Sequence, residues 1–262
     1  VYVSEGSIYL VDSRAMEDWL LERAPMPTPA PLMPTPAPEP TPTPRPTPTP
    51  RPSPPAPPSP PPPPGASDVY LEFILDTSGS MDGVLPDSGR TKMEAAKQRL
   101  SEYLFTYSGM GMNIGLRVFR PGCGTELLVP IGPDNADEIA EAMQYLEAKG
   151  WTPLAESIRE AGRDLQALEA RQRKIIAISD GKQEGCADVN PCNVVRDLKD
   201  LGMDFKMDVI GLAVDEETRV QLECIAREGG GVYYDAPTEA DLNQALGDSL
   251  TRSCSQGGSI SG

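Results

Sequence analysis

Short oxygen donors close three segments that lie far apart in this chain: Asp76, Ser78 and Ser80 in LEFILDTSGSM, Thr152 in GWTPLAES, and Asp180 in KIIAISDG. Brought together, they would form one site for a divalent cation. Hydroxyl and carboxylate oxygens without a nearby thiolate or imidazole suit a hard ion, so Mg²⁺ is expected, with Mn²⁺ or Ca²⁺ as substitutes. The chain contains no histidine, which excludes Ser-His-Asp and Cys-His nucleophile activation and any zinc site that needs imidazole. Asp188, near Asp180, reads as a solvated loop acid rather than half of a hydrolytic pair. Gly109, Gly111 and Gly115 have the wrong spacing for a dinucleotide fingerprint and precede a strand instead of following one. No phosphate loop, GxSxG or EF-hand run is present, and the chain is read as a non-enzyme.

The elements that must position these oxygens alternate between two periods. Val69 to Leu75 is an apolar strand that stops at Asp76. Thr91 to Tyr107 sets Met93, Ala96, Leu100, Leu104 and Tyr107 along one helical stripe, and Asn113 to Phe119 reads as a strand. Pro121-Gly122-Cys123-Gly124 turns the chain into a second strand, Glu126 to Ile131. Helices are predicted at Asn135 to Ala148, Pro153 to Leu168, Pro191 to Leu201, Glu216 to Glu228 and Thr238 to Thr251. The last opens on a capping box of Thr238 and Asp241. Strands are predicted at Lys174 to Ser179, Phe205 to Val214 and Gly231 to Tyr234. The pattern is α/β: a doubly wound, mostly parallel sheet with one antiparallel edge strand. In such sheets ligands collect beyond the carboxyl ends of the strands, where strand order reverses. Asp76 and Asp180 end strands expected to be neighbours there.

Composition confines this domain to part of the chain. Of 262 residues, 30 are proline, and most fall between Pro25 and Pro64, a stretch that cannot build a core. Residues 25–66 are expected to be an extended polyproline II spacer, reaching on the order of 120 Å at about 3.1 Å per residue. Residues 1–24 read as a short hairpin about Glu5-Gly6 followed by a helix over Arg14 to Arg23 with Met16, Trp19 and Leu20 on one side. A unit that small cannot stand alone, so it is expected to be either disordered or a docking segment packed on an adjoining subunit. Residues 67–254 form the folded domain, and 255–262 a flexible tail. The net charge of −16 argues against nucleic acid or an anionic membrane surface as partner, because both would repel the chain. No run approaches the ~20 apolar residues of a membrane span, so membrane association is expected only through an anchor or partner outside this sequence. The opening at Val1, with neither signal peptide nor initiator Met, is what a processed product or excised fragment would show.

DTSGS at 76–80, Thr152 followed by Pro153-Leu154, and Ser179-Asp180-Gly181 resemble the metal-ion-dependent adhesion site of von Willebrand factor type A domains. The resemblance covers about Ser67 to Arg252. It is strongest to bacterial, often exported members, with similar LRVFRPGCGTELLVP, SDGKQEGCADVNPC and QLECIAREGGGVYYDA segments. It implies that Ser78, Ser80 and Thr152 bind the ion directly while Asp76 and Asp180 act largely through water. It implies recognition of a protein partner, whose Glu or Asp completes the coordination shell, rather than turnover. In similar domains the last helix slides to alter the metal site; here Leu242, Leu246 and Leu250 with Gly247 between them are read first as an ordinary packed helix. The function expected is a metal-dependent adhesion module carried on the proline stalk. The alternative is a structural subunit docked through residues 1–24, with a purely structural metal.

Five cysteines in a chain without imidazole point to disulfides and an extracellular or cell-envelope location. Two pairings stay open. Cys186 can join Cys192 across a short loop, which strands Cys123 and Cys224. Alternatively Cys123 pairs with Cys186 and Cys192 with Cys224, which uses all four. Cys254 is left over in either scheme.

Overall fold

The computed structural model describes residues 2–4, 7–9, 69–107, 112–170, 172–186 and 189–255. The helix expected at Arg14 to Arg23, the proline spacer, Gly109, Gly111, Asp188, the tail and the side chain of Cys254 lie outside them. The chain divides into two units, Val1–Pro58 and Ser59–Gly262. Of the first unit only a hairpin is described, with β1 (Tyr2–Ser4) and β2 (Ser7–Tyr9) antiparallel and Tyr2 opposite Tyr9.

The second unit is built on a six-stranded sheet. Its strands are β3 (Val69–Leu75), β4 (Asn113–Arg120), β5 (Gly124–Pro133), β6 (Gln172–Ser179), β7 (Lys206–Leu212) and β8 (Gly230–Ala236), in the order β5-β4-β3-β6-β7-β8. All neighbours run parallel except β4 and β5, so the antiparallel strand is at the edge, as the hairpin turn predicted. Strand order reverses between β3 and β6. The crevice of this topology therefore opens beyond Leu75 and Ser179.

Among the described residues six α-helices cover both faces: α1 (Lys92–Tyr107), α2 (Ala136–Gln144), α3 (Leu154–Gln166), α4 (Pro191–Asp200), α5 (Glu216–Glu228) and α6 (Glu239–Ser255). Alternation along the strands divides the core. Leu71, Phe73 and Leu75, with Ile176, Ile178, Ile210 and Leu212, pack against α1, α2 and α6. Ile74, Ile175, Ala177, Met207 and Val209 pack against α3, α4 and α5. Strands covered on both faces need apolar residues at successive positions, which is why β3, β6 and β7 read as near-continuous hydrophobic runs.

Local signals match the observed ends. Asn190 caps α4, its side chain accepting the Cys192 N–H at 2.9 Å ahead of Pro191. Thr238 Oγ1 accepts the Asp241 N–H at 3.1 Å at the start of α6. Gly115 sits inside β4, where an added Cβ would meet Ile131 Cγ1 at 2.6 Å; it serves the close approach of β5, whose pairing slips in register beside it. The helix expected to continue to Ala148 stops at Gln144. The residues after it leave the helix because Lys149 donates its N–H to Thr77 O at 2.7 Å and Gly150 O accepts from Gly79 N at 3.1 Å. The closing helix is packed: Leu242, Leu246 and Leu250 are buried, and Gly247 leaves room for Tyr103, whose hydroxyl donates to Asn243 O at 2.8 Å.

Candidate functional site

Three loops meet at the β3–β6 crevice because backbone hydrogen bonds tie them to one another. The parallel ladder runs one residue past β3, with Asp76 N donating to Ile178 O at 3.0 Å. The Thr77–Gly79 backbone is bonded to Lys149 and Gly150, which brings in the segment carrying Thr152. Thr152 and Glu184 then exchange backbone bonds, N to O, at 3.3 and 3.4 Å, joining that segment to the loop after Asp180. Gly150 takes φ +85, a left-handed turn that glycine adopts without the steric cost of a Cβ.

Side chains converge on this frame. Asp76 Oδ1 accepts the Ser78 N–H at 2.8 Å, and Asp76 Oδ2 accepts the Ser179 hydroxyl. Ser78 Oγ and Ser80 Oγ are 3.0 Å apart, and Ser80 Oγ donates to Asp180 Oδ1 at 2.7 Å. An ideal Cβ on Gly181 would lie 3.2 Å from Thr152 Oγ1 and 3.7 Å from Ser80 Oγ, so the two hydroxyls flank a hollow kept open by a glycine. All five residues predicted from the sequence are therefore brought together. Asp76, Ser78, Thr152 and Asp180 are buried, whereas Ser80 is exposed and gives the cluster one open side.

The electrostatics favour a cation. Burial, and after it the charge of Asp180, raise the Asp76 carboxyl to about 6 against the lowering effect of hydrogen bonds from Ser179 and Ser78. Two carboxylates thus share a dry rim, and the donors are all hard oxygens around a glycine-sized hollow. That set fits an ion of the Mg²⁺ class and offers nothing to a soft one.

Two participants escaped sequence reasoning. Ser179 was noted for its place in the motif but not as the donor that orients Asp76. Lys92, the first residue of α1, places its ammonium 2.8 Å from Asp180 Oδ2 and 3.4 Å from Ala213 O. Its signal was a cation in the first turn of a helix, where the macrodipole disfavours positive charge. Beside the crevice, Trp151 is half exposed and lies on Gly185, where a Cβ would overlap its ring at 2.0 Å.

The loop after Asp180 is clamped by a disulfide. Cys123 bonds Cys186, and Cys192 bonds Cys224, with Cα separations of 5.5 and 5.7 Å. This decides between the two pairings. The β4–β5 turn, where Cys123 takes φ +66, reaches over to the Gly185–Cys186 turn, while α4 and α5 lie side by side and close the second bridge.

Residues 71–183 match the family model of the von Willebrand factor type A domain. The uncharacterized protein YwmC of Bacillus subtilis is 26% identical over 189 residues, covering 65% of this chain and 78% of that protein. A von Willebrand factor type A structure from Catenulispora acidiphila shares the fold with a TM-score of 0.57 at 22% identity, over 72% of this chain and 43% of the other. The pilus adhesin SpaC from Lactobacillus rhamnosus GG shares it with a TM-score of 0.56 at 17% identity, over 70% of this chain and 30% of the adhesin. The second unit of this protein is thus a domain of von Willebrand factor type A fold. Among the described residues no helix is long and apolar enough to cross a membrane.

Proposed function

We propose that the domain is a metal-dependent protein-recognition module, which captures an acidic residue of a partner through a divalent cation at Asp76, Ser78, Ser80, Thr152 and Asp180. The observation that carries this reading is the open oxygen cluster at the β3–β6 crevice, where Ser80 bridges Ser78 and Asp180 at the exposed rim. Ser78, Ser80 and Thr152 would supply neutral ligands, and Asp76 and Asp180 would orient water around the ion. Bound there, Mg²⁺ supplies a Lewis-acidic position that a partner carboxylate completes. Neutral hydroxyls leave most of the ion's charge uncompensated, which lets an acidic protein attract an acidic residue.

The likeness of the fold to a pilus adhesin supports an adhesive role, and two disulfides support export to an oxidising compartment. The proline content of residues 25–66 supports a spacer role for that stretch. A second reading rests on the β1–β2 hairpin. Two strands alone are marginal in water, which favours strand addition to a neighbouring subunit as the role of residues 1–24.

Calorimetric titration of the full chain with MgCl₂ tests the first reading, followed by partner capture from native membranes and culture medium in Mg²⁺ and in chelator. The expected result is saturable ion binding and chelator-reversible capture, both lost in Asp76→Ala while its circular dichroism stays native. Capture that persists unchanged in chelator would remove the metal from the mechanism.

A further inference from the structure

We propose that Lys92 is a tethered counter-cation, which shares Asp180 with the divalent ion, weakens ion binding in the free domain and leaves surplus positive charge for a partner carboxylate to neutralise. The inference rests on the metal reading above and adds a residue that the motif does not contain.

The position of Lys92 is built rather than incidental. Thr91 and Glu94 form a reciprocal cap at the start of α1, with Thr91 N donating to Glu94 Oε2 at 2.9 Å and Glu94 N to Thr91 Oγ1 at 3.1 Å. The Lys92 N–H itself donates to Gly83 O at 2.8 Å, so the backbone that carries the side chain is held at both ends. Gly83 also clears its path: a Cβ there would lie 3.4 Å from Lys92 Cε. At the far end Ala213, whose φ of +50 is the left-handed conformation that alanine rarely adopts, presents its carbonyl to the ammonium. The lysine side chain is only 14% exposed and that of Asp180 fully buried, so water screens the pair poorly.

The charge count follows from that geometry. Without an ion, two carboxylates face one ammonium, and the cluster carries one negative charge. With a divalent ion it carries one positive charge. Lys92 therefore repels the ion and, once the ion is bound, adds to the attraction felt by an incoming carboxylate. Ion and acidic partner are made to bind cooperatively, each weakly without the other.

The test is calorimetric titration of the full chain with MgCl₂, comparing the wild type with Lys92→Met, Lys92→Gln, Lys92→Arg and Asp76→Ala. Removal of the charge in Lys92→Met is expected to tighten Mg²⁺ binding about tenfold. Lys92→Gln should do the same while keeping a hydrogen-bond donor for Asp180, and it carries the test if the Met variant loses its circular dichroism. Lys92→Arg, which keeps the charge, should stay within about twofold of wild type. Equal or weaker Mg²⁺ binding by the Met and Gln variants, with the wild type binding and Asp76→Ala not, would overturn the role of Lys92 and leave the metal site standing. No heat of binding in any of the proteins would overturn both. Binding by Lys92→Met and Lys92→Gln but not by the wild type or Lys92→Arg would support the proposal in its strongest form, the ammonium holding the ion's place.

Discussion

Two ends of the same sheet carry an aspartate, a lysine and a serine, yet only the carboxyl end adds a second carboxylate and further hydroxyls. Near the amino end of β7's pairing with β6, Asp208 Oδ2 accepts Lys174 Nζ at 2.7 Å and Ser249 Oγ at 2.6 Å, and Asp208 Oδ1 accepts the Val232 N–H at 2.8 Å. One negative charge meets one positive charge, and α6 supplies Ser249 beside a cavity that Lys174, Asp208, Lys206 and Arg252 line. At the carboxyl end, Asp180 likewise accepts a lysine and a serine, but Asp76 adds a second carboxylate, Ser78 and Thr152 add hydroxyls, and Ser80 reaches the surface. The balanced trio locks a helix to the sheet. The unbalanced one holds a deficit of positive charge beside the exposed Ser80, the feature on which the proposed cation site rests.

Removal of the lysine at each end should separate the two roles, with the largest effect at the amino end. Lys174→Met strands the Asp208 carboxylate in the core and is expected to cost about 3–5 kcal/mol in urea denaturation, with no recovery on adding Mg²⁺. A loss below about 1 kcal/mol there would mean that the balanced trio is no lock.

A smaller effect concerns Glu72 on β3, four residues before Asp76. Arg117 donates to Glu72 Oε1 at 2.7 Å and also pairs with Asp164, while Glu72 Oε2 is buried without a partner among the described residues. Burial raises the Glu72 carboxyl to about 7, against the pull of Arg117. A carboxyl raised in the folded state binds more protons there than in the unfolded chain, so stability falls as pH rises. The loss should run from about pH 4.5 to about 7 and reach on the order of 3 kcal/mol. Urea midpoints across that window should show this slope, and Glu72→Gln should flatten it; an unchanged slope in the variant would assign it to other groups.

The finest distinction is Thr152→Ala. Loss of one hydroxyl at the open end should weaken Mg²⁺ binding about tenfold while costing about 1 kcal/mol or less of stability. Parallel losses in titration and denaturation would make the cluster a structural pin of three loops, like its counterpart at the other end.

Much of this molecule was legible in the chain because its signals are local. Val69–Leu75 and Glu216–Glu228 occupy the residues that their apolar periods predict, and DTSGS follows the first strand directly, so the reversal point and its oxygens could be placed together. The end of α2 was not legible. Its helical period continues past Gln144, and the competing demand comes from Thr77 and Gly79, some seventy residues earlier in the chain.

Composition and periodicity by themselves determined the α/β order, the hard-oxygen character of the site and the lack of imidazole chemistry, because each depends on residues within one segment. Tertiary structure alone decided that Lys92 meets Asp180, 88 residues away, that Cys123 takes Cys186 instead of leaving it to Cys192, and that Thr152 faces Gly181. Those partnerships depend on strand register and on backbone bonds between loops, and no local period encodes which distant side chain arrives.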